Sequence, residues 1–231
     1  MVPYAGAVPT TLDERRRRLE AARLYFVCEA ATGESAAPTP LHAALASGVD
    51  MIQLRDKELS DDELVSAARD FRAVADEHGA PFILNDRPDL VAACAADGVH
   101  IGQGDVDLAA ARAVLPPDSL LGVSTHSQEQ IEAAQEHGDE APDYISVGPI
   151  WETPTKPGRP AVGLSLIDTA ARIARLPWFA IGGIDVDNVG EVVAAGARRV
   201  VVVRAIRDAA DPAAAARSLR DTVESGVEVG T

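Results

Sequence analysis

Aromatic residues are scarce: four Phe, two Trp and three Tyr make up 4% of 231 residues. A platform that stacks successive nucleobases needs more rings than that. Cations are also in short supply, with 21 Lys and Arg against 36 Asp and Glu, a formal net charge of −15. Such a field repels polyanions, which argues against a general nucleic-acid binder and against docking on an anionic membrane. It does not argue against a small phosphorylated substrate, for which a few local cations suffice. The two cysteines, Cys28 and Cys94, are too few for a disulfide framework and have no metal-type spacing. They read as buried apolar fillers in a reducing, cytoplasmic setting. No apolar run approaches the roughly 20 residues that span a bilayer. The basic cluster Arg15–Arg18 follows the weakly apolar start instead of preceding an apolar stretch, so no signal peptide is expected. On a leading helix around Leu12–Ala22, that cluster reads as a solvated face.

Hydrophobic residues make up 47% of the chain, enough for a sizeable core. They fall in eight short runs: Leu24–Cys28, Met51–Leu54, Phe82–Leu84, Gly98–Ile101, Leu120–Val123, Tyr144–Val147, Trp178–Ile181 and Val200–Val203. Runs of this length and composition suit buried parallel strands. The intervening segments carry helical signals. Ser60-x-x-Glu63 is a capping box followed by Leu64, Ala68 and Phe71 at helical spacing, and Ser127-x-x-Gln130 is a second such pattern. Asp211 before Pro212 reads as an N-cap with proline at the first helical position. Gly48, Gly98 and Gly196 each precede a strand and are expected to be left-handed helix caps. Eight strand–helix units in this length predict a single (β/α)8 TIM barrel over residues 24–231, after an N-terminal extension and helix over residues 1–23. An open doubly wound sheet is disfavoured, because residues 28–33 lack the glycine fingerprint after the first strand.

In such a barrel the chemistry lies at the C-terminal ends of the strands. The second run is followed by Arg55 and Lys57, two cations suited to a phosphate or pyrophosphate. If the strand continues, alternation points both to one side; a solvated surface pair is the equal alternative. Asn85 and Asp86 follow the third run and Asp105 the fourth. Two carboxylates from adjacent strands can share one magnesium ion, although Asp is equally at home as a helix cap and in a turn. Ser124 and His126 follow the fifth run. A long Pro- and Thr-rich loop after the sixth carries Thr153, Pro154, Thr155 and Lys156, the composition of a closing lid. Gly182 and Gly183 follow the seventh run, and Val203 and Arg204 end the eighth, at the corner where this fold commonly binds phosphate. His42, His78 and His137 lie in helical patterns and read as surface residues.

Taken in order, QLRDK, LNDRPDL, DGVHIGQGD, GVSTHS, SVGPIWETPTKP and AIGGID resemble the thiamine-phosphate synthase family, also called thiamine-phosphate pyrophosphorylases. The resemblance runs from Leu24 to Ile206. It implies a transferase that joins a hydroxymethylpyrimidine pyrophosphate to a thiazole phosphate, releasing pyrophosphate and forming thiamine phosphate. It also implies contacts from Gln53, Arg55 and Lys57 to the pyrimidine pyrophosphate, from Asn85 to the pyrimidine side, and from Ser124 and Lys156 to the pyrophosphate. Asp86 and Asp105 match magnesium ligands. Thr153, Pro154, Thr155, Gly183, Val203 and Arg204 match the thiazole phosphate site. Many members carry serine where this chain has Arg204, so only a backbone role carries over there directly.

The residues agree with a dissociative substitution assisted by Arg55, Lys57, Lys156 and Mg2+, with no nucleophilic side chain. A thiazole tautomerase with His126 as proton carrier, or a catalytically silent ligand-binding barrel, are the alternatives. The expected partners are the two small-molecule substrates, with no nucleic acid and no membrane, and self-association stays open.

Overall fold

Eight parallel strands pair in chain order, and the last pairs with the first to close a barrel. They are β1 (Leu24–Cys28), β2 (Met51–Leu54), β3 (Phe82–Asn85), β4 (Gly98–Ile101), β5 (Leu120–Thr125), β6 (Tyr144–Val147), β7 (Trp178–Ile181) and β8 (Val200–Val202). This computed structural model describes residues 11–30, 40–153, 158 and 160–228. Among them, α1 (Leu12–Ala21) leads, and α2 (Leu41–Leu45), α3 (Asp61–His78), α4 (Leu108–Val114), α5 (Gln128–Ala134), α6 (Leu164–Ile173) and α7 (Val189–Ala194) separate the strands, except that β3 and β4 are joined through a single 3-10 turn at Pro88–Leu90 in place of a helix. After β8 come the short α8 (Arg204–Arg207) and the long α9 (Pro212–Glu228). The strand assignments hold to within two residues. β5 extends past Val123 because Ser124 and Thr125 still pair with Ser146 and Val147.

Local chemistry sets the helix ends. Ser60 and Glu63 form the expected reciprocal box at the start of α3, and Gly79 ends it at φ 65°. Asp211 Oδ1 accepts from the N–H of Ala214 at 2.9 Å, as an N-cap does. Gln130 departs from the pattern, since its side chain accepts from the N–H of His126 rather than from that of Ser127. Gly98 is a second departure. It is the first residue of β4 and not a left-handed cap. There a Cβ would stand 2.2 Å from the Leu120 carbonyl oxygen, so close strand approach requires the glycine. The positive φ in that connection belongs to Ala95.

Strand alternation divides the core in two. Leu24, Phe26, Ile52, Leu54, Val99 and Ile101 face the helices. Tyr25, Met51, Ile83, Leu120, Tyr144, Phe179 and Val201 fill the barrel interior with Leu19 and Ala22 from the leading segment. Three of the chain's few aromatic rings meet edge-on here, with Tyr25, Tyr144 and Phe179 centroids 5.6–6.2 Å apart. Above them the inward positions turn polar, which opens the site.

Below them, α1 plugs the end where the strands begin. This corrects in part the reading of Arg15–Arg18 as a solvated face: Arg16 and Arg17 are exposed as expected, while Arg15 is covered and three of the four have partners on the barrel. Arg15 Nε pairs with Asp97 at 3.0 Å with its side chain only 17% exposed, and Arg16 Nε pairs with Asp143 at 2.7 Å. Arg18 donates to the Gly79 carbonyl. A basic run on a helix cannot by itself reveal that carboxylates wait beneath it.

Candidate active site

The C-terminal mouth of the barrel holds a cavity of about 310 Å³, a size that suits a small ligand. Gln53, Arg55, Asn85, Ser124, Thr153, Gly183, Val203 and Arg204 all line it, coming from the ends of five strands and the loop after β6. Lys57, Asp86 and Asp105 stand beside the lining and not in it. Pro154, Thr155 and Lys156 lie outside the described residues.

β2 ends at Leu54, so the alternation expected through Arg55 and Lys57 does not apply. Arg55 instead bonds through its backbone N–H to the Cys28 carbonyl and lines the cavity. Lys57 turns aside, and its Nζ lies 2.8 Å from Asp86 Oδ2. Asp86 sits at φ 62°, a left-handed conformation that Asp tolerates at some cost. Its N–H bonds to the His100 carbonyl at 2.8 Å, so the chain kinks as it leaves β3. The helix-cap alternative for Asp86 fails, because the following helical turn at Pro88–Leu90 has no side-chain cap. Asp105 does serve its own turn, since its Oδ2 accepts from the Gly102 N–H at 2.7 Å.

The two carboxyls meet side by side, and their acidities move in opposite directions. For Asp86, burial works upward, yet the Lys57 ammonium and the neighbouring donors outweigh it and hold the carboxyl below its ordinary range. For Asp105, burial pushes the carboxyl up, and the adjoining Asp86 charge adds to that rise against the Gly102 N–H. Two carboxyls held this close cannot both ionise freely without a cation between them.

The cavity floor is a buried polar relay that the sequence alone did not expose. Gln53 Nε2 donates to the Tyr25 hydroxyl, and the hydroxyls of Tyr25 and Tyr144 are 3.2 Å apart. The Tyr144 hydroxyl meets His100 Nδ1 at 3.2 Å, and His100 Nε2 meets Ser124 Oγ at 3.0 Å. Burial pushes both tyrosine hydroxyls up, so they remain protonated donors. Two donor orders satisfy these contacts, because His100 can carry its proton on either ring nitrogen: with Nε2–H it donates to Ser124 Oγ, and with Nδ1–H it donates to the Tyr144 hydroxyl and accepts from Ser124. Ser146 Oγ stands beside both, 3.4 Å from His100 Nε2 and 3.5 Å from Ser124 Oγ. Gly122 makes room for the relay, because a Cβ there would lie 2.2 Å from the Tyr144 ring and 2.6 Å from His100 Nδ1. The available signal was alternation: His100 lies between the outward Val99 and Ile101, which turns it inward.

At the opposite wall, Gly182 and Gly183 have φ of 104° and 70°. A Cβ on Gly183 would be 2.8 Å from Trp151 Cβ, so the glycine lets two loops meet. Asn188 clamps this turn, donating to the Gly183 carbonyl at 2.8 Å and accepting from the Asp185 N–H at 2.9 Å. Arg204 opens α8 and is exposed. Beside it, Arg207 holds Asp208 and Glu29 by ion pairs of 2.7 and 2.9 Å. Cys28 and Cys94 are both buried and free, as expected. Burial raises both thiols, that of Cys94 to about 11, so neither is a ready nucleophile.

These features define a TIM barrel whose mouth joins cations, a carboxylate pair and a glycine corner. A sequence model described as thiamine monophosphate synthase matches residues 24–206. The thiamine-phosphate synthase of Thermobifida fusca is 49% identical over 214 residues, covering 90% of this chain and 96% of that protein. That of Thermus thermophilus is also 49% identical, over 86% of this chain and 96% of its own. Among solved structures, the thiamine phosphate pyrophosphorylase from Pyrococcus furiosus superposes with a TM-score of 0.79 at 28% identity, covering 92% of this chain and 98% of that one. The chain belongs to the thiamine monophosphate synthase family. Among the described residues no helix is long and apolar enough to cross a membrane.

Proposed function

We propose that this protein is a thiamine-phosphate synthase that joins a hydroxymethylpyrimidine pyrophosphate to a thiazole phosphate. The observation that carries the reading is the placement of the Asp86–Asp105 pair and Lys57 at the mouth of a cavity lined by Arg55, Asn85 and Ser124. A pyrophosphate seated there meets cations and a hydroxyl, while the pyrimidine reaches the buried Gln53. The thiazole phosphate sits at the corner formed by Gly183, Val203 and Arg204, where backbone N–H groups at the start of α8 receive it. Thr153 lines the cavity on the side of the thiazole phosphate, and Pro154, Thr155 and Lys156 follow it in the chain.

Asp86 and Asp105 fit Mg2+, which typically takes one or two protein carboxylates and fills its shell with water and substrate oxygens. When bound it neutralises the pyrophosphate charge as that group departs. The C–O bond to the pyrophosphate breaks with its electron pair leaving on oxygen. Arg55, Lys57 and Lys156 stabilise that developing charge. The pyrimidinylmethyl cation is then captured by the lone pair of the thiazole nitrogen. Ser124, held by His100, orients the leaving group without itself becoming a nucleophile. The free buried cysteines accord with a reducing cytoplasmic setting.

The test is incubation with both substrates, with and without magnesium, while pyrophosphate is followed. Magnesium-dependent pyrophosphate release that requires both substrates is expected. A tautomerase or a silent barrel releases none, and that result overturns the proposal.

A further inference from the structure

On the outer surface of the barrel, His42, Glu77 and His78 converge. His42 belongs to the short α2, and Glu77 and His78 form the last turn of α3. His42 Nε2 lies 3.1 Å from Glu77 Oε2, and His78 Nε2 lies 3.4 Å from His42 Nδ1. The two imidazole rings stand edge-to-face with centroids 5.3 Å apart. Each side chain offers one ligand atom, and these atoms lie within 4.8 Å of one another. We propose that His42, Glu77 and His78 bind a zinc-type divalent ion that ties α2 to α3.

The donor set selects the metal. Two neutral imidazoles and one carboxylate are borderline ligands that suit Zn2+ and its transition-metal neighbours, whereas Mg2+ and Ca2+ demand oxygen. Zinc bonds of roughly 2.0–2.2 Å place tetrahedral ligand atoms about 3.3–3.5 Å apart. The two short contacts use different nitrogens of His42, so with one ligand atom from each residue the separations reach up to 4.8 Å, and rotation of the three exposed side chains closes the remainder. Water fills the fourth position. The segments joined are 36 residues apart in sequence by the His42–His78 contact, so chelation cross-links two helices that otherwise meet by packing. His78 ends α3 just before β3 begins at Phe82, which puts the site toward the end of the barrel opposite the mouth. In this fold that face serves stability and not chemistry. The ion is a staple, and turnover does not require it.

The test uses the full-length protein, stripped of metal and kept in excess Mg2+ so that zinc does not report on Asp86 and Asp105. Titration with ZnCl2 is expected to show one saturable site. At zinc a hundredfold above the dissociation constant, linkage raises Tm by about 5–10 °C. His42→Ala and His78→Ala are expected to weaken zinc binding at least tenfold and to abolish the Tm rise, while their zinc-free Tm matches wild type. As a second readout, Co2+ added to the wild type should broaden the NMR signals of the His42 and His78 rings before those of His137. Absence of saturable zinc binding, zinc titrations of the variants that superpose on wild type, or broadening that spares both rings overturns the proposal.

Discussion

The two ends of the barrel use the same side chain for opposite purposes. At the end where strands begin, Asp50, Asp97 and Asp143 immediately precede β2, β4 and β6. Each clasps a residue of the preceding strand twice. Asp50 donates its N–H to the Leu24 carbonyl and accepts the Leu24 N–H on its carboxylate at 2.9 Å. Asp97 does the same with Phe82, and Asp143 with Leu121, at 2.9 and 2.8 Å. Guanidinium groups complete each clasp: Arg220 on Asp50, Arg15 and Arg72 on Asp97, Arg16 and Arg112 on Asp143. At the mouth, Asp86 and Asp105 face each other with Lys57 beside them. A carboxylate ringed by donors closes the lower rim, whereas at the mouth one carboxyl is pressed on another.

The sharpest way to break this contrast is to remove a clasp. Asp143 is 1% exposed at its side chain. Asp143→Ala strands Arg16, the partly buried Arg112 and the Leu121 N–H at once. Breaking a buried pair from one side costs about 3–5 kcal/mol. For a chain of this size that lowers Tm by roughly 6–20 °C. A thermal melt with less than about 2 °C of change refutes the structural role assigned to the lower rim.

The same surgery at the mouth should spare the fold and damage the reaction. Asp86→Asn and Asp105→Asn are each expected to weaken magnesium-dependent turnover by roughly 100-fold or more at limiting magnesium, since even outer-shell changes at metal sites cost 10–100-fold. The two differ in stability, and the signs follow from linkage. Asp86 is held below its ordinary range, so its contribution exists at neutral pH and disappears as pH falls through the folded value. Asp105 is raised, so its folded state is favoured when protonated and loses that advantage as pH rises. At pH 7, Asp105→Asn should therefore melt at or above wild type, and Asp86→Asn at or slightly below. A lower Tm for Asp105→Asn than for Asp86→Asn contradicts the assignment.

The raised Asp105 also predicts that the magnesium requirement climbs on acidification. A metal ligand must give up its proton, and Asp105 holds its proton to higher pH than an ordinary aspartate. Apparent magnesium affinity measured between pH 8 and 5 should fall, with the onset above the ordinary Asp value of about 3.9. A flat profile across that range removes Asp105 from the metal site.

What the sequence disclosed follows the same division. Strand positions were legible because buried parallel strands are short apolar runs, and the mouth was legible because chemistry in this fold collects after those runs. The lower clasps were not, although Asp50, Asp97 and Asp143 stand in plain view before three strands. Their meaning depends on which arginine reaches them, and Arg15 and Asp97 are neighbours only once α1 has folded under the barrel. The Gln53–Tyr25–Tyr144–His100–Ser124 relay draws on strands β1, β2, β4, β5 and β6. No local window contains it. Lys57 illustrates the converse, a residue whose direction was conditional on a strand that stops at Leu54.

The smallest expected effect tests whether a charge at the mouth is used at all. Arg204 lines the cavity at the start of α8, beside the turn that Asn188 clamps at Gly183. Its side chain is exposed, and the neighbouring Asp208 also lines the cavity. Asp208 is held below its ordinary range chiefly by the hydrogen bonds of Arg207, with the Arg204 charge contributing less. An exposed guanidinium next to an acid already served by another arginine has solvent and Asp208 to divide its charge between. Under the proposed function the thiazole phosphate would then be received by the backbone N–H groups at the head of α8 and by the Gly183 turn, which any residue but proline at position 204 supplies equally. Arg204→Ser should accordingly change the Michaelis constant for thiazole phosphate by less than about threefold. Loss of a desolvated charge-assisted bond instead costs roughly 1.5–3 kcal/mol, which is about tenfold or more in affinity. Measuring the constant for both proteins at low and at moderate ionic strength separates the cases. A tenfold rise that persists in salt makes the guanidinium a direct phosphate ligand, because only a buried contact resists screening.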